Sequence, residues 1–399
     1  MSTDNPPTLA ITDVSIIDCV GDETAPRNGW VTVTDGVIDA VGEGRMPSDL
    51  TVGKVIEGRG GYLIPGLINL HTHLFGDAGP VWPHRFSRPE ELAVIAAKNA
   101  METVKSGVTS VRDLGGPFRT ALTVKNLIDE GAIIGPRITA SGDVITITGG
   151  HGHWMGYEAD TPDEVRKGVR TQIKAGAGVI KLMASGGAGT AETTTSSPGL
   201  PFDCLQAAVE EAASFGVPTA AHALDRNGVE NAIRAGVTTL EHGVSCDREL
   251  VELMRKNGVA LVSTLAVNTI LGEAPPGCCV APWLVERVRP LAADRYNSFR
   301  LAMESDVVIG AGMDSGVPLL RHDDFASELE AMESLGQPPT EVLASATRVA
   351  ASLLGHSSTV GTIEARKLAD LVLLERNPLD GIEAVRSIRH VIAGGALIV

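Results

Sequence analysis

The amino-acid sequence predicts an α/β protein: a (β/α)8 TIM barrel with a small β-sandwich domain formed from both termini. From residue 62 onward, eight apolar runs alternate with segments of helical period, which is typical of a parallel sheet covered by helices. The units together have roughly the length of such a barrel, about 250 residues or more. Both chain ends are instead rich in β-branched residues and turns. A doubly wound open sheet is the alternative, but eight units favour the barrel.

The sequence divides into three parts. Residues 1–62 contain short β-branched runs interrupted by Gly and Asp, so we expect them to form the N-terminal part of the sandwich. Residues 63–356 contain the alternating units and are predicted to form the barrel. Residues 357–399 return to turn-rich strand patterns. They are predicted to complete the sandwich, because a unit of about 60 residues buries too little surface alone.

Each barrel unit has a strand candidate, and most have a clear helix candidate. The strand candidates are LIPGLINLHTH, VTSVRDLG, PRITASG, GVIKLMASGG, PTAAHALD, TTLEHG, VALVSTLA and VVIGAGMD. The clearest helix candidates are residues 90–105, 163–174, 205–215, 229–235, 249–256 and 283–304. Residues 161–164 and 87–90 have the form of capping boxes. Glycines that can end helices in the left-handed conformation are Gly107, Gly131, Gly176, Gly216, Gly236 and Gly258.

Charge and cysteine content limit the classes of function. The 399 residues carry a net charge of −16, which argues against a nucleic-acid or anionic-membrane partner. The five cysteines are irregularly spaced and indicate neither a disulfide framework nor a CxxC zinc pattern. No signal peptide and no membrane-spanning apolar run is apparent. We therefore expect a cytoplasmic protein that acts on a small molecule and forms a homo-oligomer.

Polar residues stand at the C-terminal ends of the predicted strands, where the active sites of such barrels lie. The first strand ends in His71-Thr72-His73. Residues i and i+2 of a strand point to the same side, so the two imidazoles project together and suit a divalent transition metal. Each further candidate alone would be an ordinary structural residue, but together on one face they predict a metal site. These further candidates are Lys181, His222, His242 and Asp314.

Lys181 is unusual because it lies within an apolar strand. Burial disfavours a charged amine and should lower its pKa. A neutral amine can react with carbon dioxide to form a carbamate, an anionic oxygen ligand that can bridge two metal ions. The alternative is an ordinary salt bridge between Lys181 and a carboxylate inside the barrel.

The full pattern resembles the binuclear amidohydrolase superfamily. That pattern is HTH on the first strand, lysine on the fourth, histidines on the fifth and sixth, and aspartate on the eighth. The resemblance extends over nearly the whole chain, including LIPGLINLHTH and LADLVLLERNPL. Within the superfamily, GGHGHWMG and AGAGVIKLMASGG are similar to the imidazolonepropionase-like and prolidase-like branch, the Xaa-Arg or Xaa-Pro dipeptidases.

This resemblance implies a role for each of the six residues. Zinc is the expected metal, because imidazole and carboxylate ligands suit it. A hydroxide bridging two ions would attack the substrate carbonyl, and Asp314 would pass its proton to the leaving amine. The implied ligands are His71, His73 and Asp314 for the first ion, His222 and His242 for the second, and carboxylated Lys181 as the bridge.

Further candidates lie in the loops around the predicted site. His151 and His153 belong to a glycine-rich loop after the third strand, and we expect one of them to contact the substrate. Residues 188–201, after the fourth strand, are small and polar, and form either a lid or an ordinary surface loop. More weakly indicated are His84, which could line the pocket, and Arg226, Arg321 and His322, which could bind a substrate carboxylate.

The predicted function is metal-dependent hydrolysis of an amide bond in a dipeptide or an N-acyl amino acid. The alternative is hydrolysis of a urea, carbamate, lactam, imidazolone or lactone at the same binuclear site. A one-metal deaminase is disfavoured, because a single ion needs no bridging ligand such as Lys181. A non-catalytic protein with the same fold would be expected to have lost metal ligands. All six implied ligands are present here, so this class is disfavoured.

Overall fold

The structure is a computed structural model that describes residues 8–21, 25–79 and 88–399. Strands in these ranges are β1 (Leu9–Ile16), β2 (Arg27–Thr34), β3 (Val37–Glu43), β4 (Lys54–Pro65), β5 (Leu67–Thr72), β6 (Val108–Asp113), β7 (Arg137–Ala140), β8 (Val144–Thr146), β9 (Gly156–Glu158), β10 (Ile180–Met183), β11 (Thr219–His222), β12 (Thr239–Glu241), β13 (Ala260–Val262), β14 (Leu371–Leu374), β15 (Ile388–Ala393) and β16 (Ala396–Leu397).

The α-helices lie mainly between the strands of the central part of the chain. They are α1 (Pro89–Lys105), α2 (Thr120–Asp129), α3 (Pro162–Lys174), α4 (Phe202–Ser214), α5 (Arg226–Ala235), α6 (Arg248–Asn257), α7 (Pro282–Val288), α8 (Ala292–Glu304), α9 (Ala326–Ser334), α10 (Pro339–Ser345) and α11 (Arg348–Leu353). In the part of the chain that the structure describes, none of these helices has the length and apolarity needed to cross a membrane.

Strands from both ends of the chain share one mixed seven-stranded sheet, in the order β16-β15-β14-β4-β1-β2-β3. β14 pairs antiparallel with β4 and so joins the C-terminal strands to the N-terminal ones. Apolar residues of this sheet, such as Ile11 and Leu371, enclose a separate small core. The predicted division at residue 62 falls inside β4, which continues to Pro65.

Gly66 divides the run that was predicted as the first barrel strand. β4 ends just before it in the terminal sheet, and β5 begins just after it in another sheet. A Cβ atom on residue 66 would lie 2.1 Å from Oγ1 of Thr109, so only glycine fits where the chain passes between the sheets. The prediction of one continuous strand was therefore wrong at this point.

The central part of the chain is built from parallel strands. β5, β6 and β7 form one sheet, and a second sheet has the order β13-β12-β11-β10-β8-β9. Seven of the eight predicted strand runs thus contain a strand. β8 and β9 are three residues each and were not predicted.

The eighth predicted strand, residues 307–314, forms bridges instead of a regular strand. It is hydrogen-bonded on both sides: Leu70 N donates to Ala311 O at 3.0 Å, and Gly310 N donates to Leu261 O at 2.9 Å. A Cβ on Gly310 would lie 2.4 Å from Leu70 Cδ1. These close contacts hold residues 307–314 between β5 and β13 without regular strand pairing. As a result, Asp314 lies beside the end of β5.

The helix signals in the sequence are largely confirmed. Thr161 and Glu164 form the predicted capping box at the start of α3. All six glycines predicted to end helices have positive φ angles, from 67° to 100°. The predicted helix over residues 283–304 is instead two helices, α7 and α8, joined by a short turn that contains Pro290, because proline has no N–H to continue the helical bonds. Ser87, of the second predicted capping box, lies outside the described residues.

Candidate metal centre

The end of β5 and the segment after residue 307 bring three potential metal ligands together. His71 and His73 project to the same side, as the strand register predicts, and both are buried. Their Nε2 atoms lie 3.5 and 3.3 Å from Oδ1 of Asp314. One ligand atom from each of the three residues lies within 4.8 Å of the others. This group can therefore bind a divalent metal ion.

Two further imidazoles come from neighbouring strands. His222 is the last residue of β11, and His242 directly follows β12. Their ring centroids are 4.7 Å apart, and the His71 ring lies 5.0 Å from the His242 ring. These histidines, His73 and Asp314 line one cavity. The structure thus brings the predicted histidines to one place.

Lys181 lies in β10 and reaches the same cavity. Its side chain is only 1% exposed, and its Nζ has no hydrogen-bond partner among the described residues. Burial lowers the pKa of this amine to about 8. A buried amine without a hydrogen-bond partner would destabilise the fold if the site bound no ligand. Together with four imidazoles and a carboxylate, this donor set fits a divalent metal centre.

The protonation states of three imidazoles and of Asp314 fit metal binding, whereas burial lowers the pKa of His73 but contact with Asp314 outweighs it and raises this pKa. Burial lowers the pKa of His71 to about 4, and it holds those of His222 and His242 well below their usual range. These imidazoles are therefore neutral at pH 7, as metal ligation requires. Burial by itself raises the pKa of Asp314, but His71 and the contact with His73 outweigh it. The net pKa of Asp314 lies well below its usual range, so this group is a carboxylate.

A buried ion pair orients the His71 ring. Glu241 Oε2 lies 2.8 Å from His71 Nδ1, and Arg112 Nη2 donates to Glu241 Oε1 at 2.7 Å. Thr239 Oγ1 donates to the same carboxylate at 2.5 Å. Burial raises the pKa of Glu241, but Arg112 and His71 outweigh it and lower this pKa to about 2. The carboxylate thus fixes His71 with Nε2 facing the cavity.

Each of the other three rings also has one nitrogen held by the protein. In His222 and His242 the remaining nitrogen is left for the cavity, and in His73 the Nε2 atom faces Asp314 Oδ1 at 3.3 Å, an arrangement typical of metal-binding histidines. The contacts are His73 Nδ1 with Gly115 O at 2.7 Å, His242 Nδ1 with Thr264 Oγ1 at 2.8 Å, and His222 Nε2 with Gly186 O at 3.0 Å.

Two of the candidate ligands have an unusual backbone conformation. His242 has φ 70° and Asp314 has φ 65°, which is the left-handed region that residues other than glycine adopt only at a cost of about 1–3 kcal/mol. Hydrogen bonds hold both: His242 N donates to Val262 O, and Asp314 N donates to His71 O, each at 2.8 Å. Residues in such conformations are enriched at functional sites.

Of the two loop histidines, the structure brings only His151 into the cavity lining. Its ring centroid is 4.5 Å from that of His222, and its Nδ1 contacts Thr190 Oγ1 at 2.8 Å. Burial lowers the pKa of His151 to about 3. His153 begins a short 3₁₀ turn and is not among the described residues that line the cavity.

The loop after β10 covers part of the site. Ala188, Gly189 and Thr190 line the cavity. Arg287 Nη1 donates to Thr190 O at 2.9 Å, and its Nη2 donates to Ala191 O at 3.1 Å. The loop is therefore bonded both to His151 and to α7, and it is not a free surface loop.

The weaker candidates do not join the described lining. Arg226 pairs with Asp247 and Glu249 at the surface. Arg321 pairs with Asp323 at 2.5 Å. His322 is buried, but its ring contacts Thr72 Oγ1 and Gly76 O. His84 lies outside the described residues.

Sequence reasoning missed several residues of the site. Arg112 and Glu241 were inside recognised strand runs. A charged residue in an apolar strand is a usable signal, and Glu241 in addition directly precedes His242. Arg295 of α8 lines the cavity and is 2% exposed, but a helical arginine is usually a surface residue. The rest of the wall is largely apolar and comes from loops without motifs, including Trp154, Met155, Met183, Leu271, Leu284 and Val317.

Comparison with known proteins identifies the class. The chain belongs to the amidohydrolase family, whose model matches residues 62–398. Ochratoxinase of Aspergillus niger is 30% identical over 413 aligned residues, which cover 94% of this chain and 84% of that protein. The resemblance inferred from the sequence is thereby confirmed.

Solved structures agree. A Xaa-Pro dipeptidase with methionine bound in its active site has a TM-score of 0.89 and 29% identity, covering 98% of this chain and 99% of that one. A putative prolidase from Bifidobacterium longum has a TM-score of 0.85 and 31% identity, covering 98% and 94%. The fold is therefore TIM-barrel-like α/β. The protein is a metal-dependent hydrolase that acts on amide C–N bonds.

Proposed function

We propose that this enzyme is a binuclear metal hydrolase that cleaves the amide bond of a dipeptide or an N-acyl amino acid. The observation that carries this proposal is the buried donor set with Lys181 Nζ unpartnered among four imidazoles. Similar proteins support the substrate class. They include a prolidase complexed with N-methylphosphonate-L-proline, 26% identical with a TM-score of 0.89 over 98% of each chain.

The proposed metal is zinc, and two ions are proposed. The carbamate of Lys181 would supply the shared anionic ligand that a pair of ions needs. When bound, the ions would activate a water molecule and polarise the substrate carbonyl. The proposed ligands are His71, His73 and Asp314 for one ion, His222 and His242 for the other, and Lys181 between them. A closed eight-stranded ring would hold them, supported by the hydrogen bonds that join residues 307–315 to β5 and β13.

Asp314 and His151 are proposed to act on the substrate. The carboxylate of Asp314 is ionised and can take a proton from water and give it to the leaving amine. His151 is held by Thr190 through Nδ1, so its Nε2 is free to bind the carbonyl oxygen. Because burial keeps this ring neutral, it would act as a hydrogen-bond donor and not as a charge.

The cavity wall favours an apolar substrate. Trp154, Met183, Leu271 and Leu284 face the space beside the histidines, and apolar surface binds apolar groups by excluding water. Residues 188–201 are proposed to act as a lid, supported by the contacts of Thr190 with both the cavity and Arg287. Opening and closing of this loop would admit the substrate and then exclude water.

The test is hydrolysis of a library of dipeptides and N-acyl amino acids. The enzyme is loaded with zinc in bicarbonate buffer, its metal content is measured, and products are identified by mass spectrometry. We expect two metal ions per chain and cleavage of a coherent subset with apolar side chains. If two ions are bound and no member is cleaved, the peptide-like substrate class is wrong and ureas, carbamates and lactams become the candidates.

A further inference from the structure

The cavity contains one cationic side chain that the proposed metal centre does not use. Arg295 of α8 is buried, and it lines the cavity beside Val288 and Leu291. Among the described lining residues, Lys181 is the other cationic side chain, and it belongs to the proposed metal centre. The presence of an arginine in an otherwise apolar wall requires an explanation.

The protein satisfies the Arg295 guanidinium only in part. Its Nη1 donates to Thr264 O at 3.0 Å. Its Nε is buried and has no hydrogen-bond partner among the described residues. No carboxylate of the described chain lies within ion-pair distance of it. Among the described residues, no hydrogen bond from Nη2 is formed either, so part of the donor capacity of this guanidinium is left for another molecule that enters the cavity.

The nearest acidic groups are committed to other contacts. Glu328 accepts Leu265 N at 2.9 Å through one oxygen and Ala266 N at 2.7 Å through the other. Asp314 contacts His71 and His73. A buried charge without a direct partner costs several kcal/mol. An anionic ligand that pairs with Arg295 would remove part of this cost, and the gain would add to its binding free energy.

Arg295 is also linked to the metal centre through a single residue. Thr264 accepts Arg295 Nη1 through its carbonyl oxygen and contacts His242 Nδ1 through Oγ1. Arg295 and His242 thus both contact Thr264, so a small molecule bound at the histidines lies on the same side of the cavity as the arginine. In an N-acyl amino acid or a dipeptide, the carboxylate carbon is only two bonds from the amide nitrogen, so the two groups would lie close together in the cavity.

We propose that Arg295 binds the free carboxylate of the substrate, so that the enzyme selects amides whose leaving amine is an α-amino acid. This inference rests on the proposed function and specifies its substrate class. Arg226 and Arg321 are poor alternatives, because both are paired with carboxylates at the surface. Arginine suits the task because its planar fork matches a carboxylate and keeps its charge when buried.

The test compares each cleaved substrate with its C-terminal carboxamide, which has the same scissile amide but no carboxylate. The wild type should prefer the acid by about 10- to 100-fold in kcat/KM, the range expected for a hydrogen bond to a charged group. Arg295→Met should remove this preference by slowing cleavage of the acid while changing cleavage of the carboxamide little. Arg295→Lys should retain part of it.

Arg289→Met is the matched control. Arg289 is an exposed arginine that, like Arg295, donates to backbone carbonyl oxygens, those of Gly272 and Ala274, but it is not among the described lining residues. It should keep the full preference for the acid. An equal preference in the wild type and in Arg295→Met, or no preference in the wild type, would overturn the proposal.

Binding separates failure of this inference from failure of the proposed function. Isothermal titration of the metal-loaded enzyme with an apolar amino acid and with its carboxamide should give tighter binding of the acid, and Arg295→Met should abolish the difference. If no amide in the library is cleaved but this pattern is seen, the proposed reaction fails and the carboxylate site stands. If amides are cleaved but acid and carboxamide bind alike, the carboxylate site fails. Should Arg295→Met not fold, the same comparison in the wild type and Arg295→Lys decides.

Discussion

At the scale of single residues, burial sets the protonation state of the centre. His71, His222 and His242 are kept neutral because a charged imidazole would lose its hydration. Asp314 stays ionised because neighbouring histidines outweigh the same effect. Neutral imidazoles and an ionised carboxylate are the forms that bind a metal ion, so the protein needs no proton release from these groups at pH 7.

Lys181 provides a pH-dependent prediction for the metal-free protein. Burial lowers its pKa from 10.5 to about 8, so between these values the unfolded chain binds more protons than the folded one. The free energy of unfolding should therefore rise with pH from about 8 to 10.5, by roughly 3 kcal/mol in total. Denaturant unfolding of metal-free enzyme in carbon dioxide-free buffer measures this rise. Lys181→Met should lack it and be more stable near pH 7.

Lys98→Met is the control for this experiment. Lys98 is exposed and paired with Glu102, so its removal should leave the rise in stability unchanged. If the free energy of unfolding rises equally with pH in the wild type and in Lys181→Met, Lys181 is not buried as an amine without a charged partner. Its assignment as a carbamate would then lose its physical basis.

Asp314 provides a prediction about catalysis. Asp314→Asn keeps the shape of the side chain but cannot accept the proton of the attacking water. We expect kcat to fall by about 10²- to 10⁴-fold, the usual contribution of general acid–base catalysis, with metal content measured on the same sample. Asp323→Asn, which alters a carboxylate paired with Arg321 near the surface, should leave kcat almost unchanged. Near-normal turnover of Asp314→Asn with full metal content would remove its assigned role.

The predictable residues are those whose side-chain direction follows from a strand. His71 and His73 alternate with Thr72, so their common direction could be derived from the sequence. Arg295 could not be found in this way, because its role depends on the rotation of α8 relative to the strands. The contact of His151 with Thr190 likewise joins two loops that no local pattern places together.

At the scale of elements, the loop after β10 is held by a helix that follows β13. Arg287 of α7 donates two hydrogen bonds to loop carbonyls and stacks on Trp283 with its guanidinium carbon 4.9 Å from the ring centroid. Thr190 connects the same loop to His151. If the loop acts as the proposed lid, its movement would be coupled to α7 through these hydrogen bonds.

Arg287→Met tests that coupling. Each lost hydrogen bond contributes about 1 kcal/mol, so amide hydrogen exchange in residues 188–197 should become roughly tenfold faster or more, while the core strands stay protected. Arg248→Met, which removes an exposed pair with Glu304, should leave this loop unaffected. Unchanged exchange in the Arg287 variant would show that α7 does not hold the loop.

Helices were more predictable than the short strands. The capping box of α3 and the glycines at helix ends act through neighbouring residues only, so they are visible in the sequence. β8, β9 and the π-helical turn at Val267–Gly272 depend on packing around the cavity. Elements of three to six residues carry too little periodicity to be recognised.

At the scale of the whole molecule, the proposed ligands connect strands that are far apart in the chain. His71 and Asp314 are separated by more than half of the sequence, yet Asp314 N donates to His71 O. The alternation of strands and helices made the α/β class predictable. The β character of both termini was also visible in the sequence, but the particular pairing of β14 with β4 joins residues that most of the chain separates and has no local signal.

Metal removal should therefore destabilise the entire domain. A ligand that binds only the folded state adds roughly 2.7 kcal/mol at a free concentration one hundred times its Kd. Chelation should lower the Tm of the wild type as one cooperative step. His242→Ala should respond less because the site is incomplete, and His390→Ala, on β15 outside the cavity, should respond like the wild type. An equal Tm with and without chelator would contradict a role for metal in the folded state.

The positive φ angles of His242 and Asp314 also affect how this protein can be engineered. Glycine is the residue that adopts such angles without cost, so a selection for heat resistance alone would enrich glycine at both positions. The selected variants would be more stable to heat but would lack two of the proposed metal ligands. Histidine and aspartate occupy these positions despite the conformational cost, which is expected if both side chains are needed to bind the metal. Libraries for thermostable variants should therefore leave residues 242 and 314 unvaried.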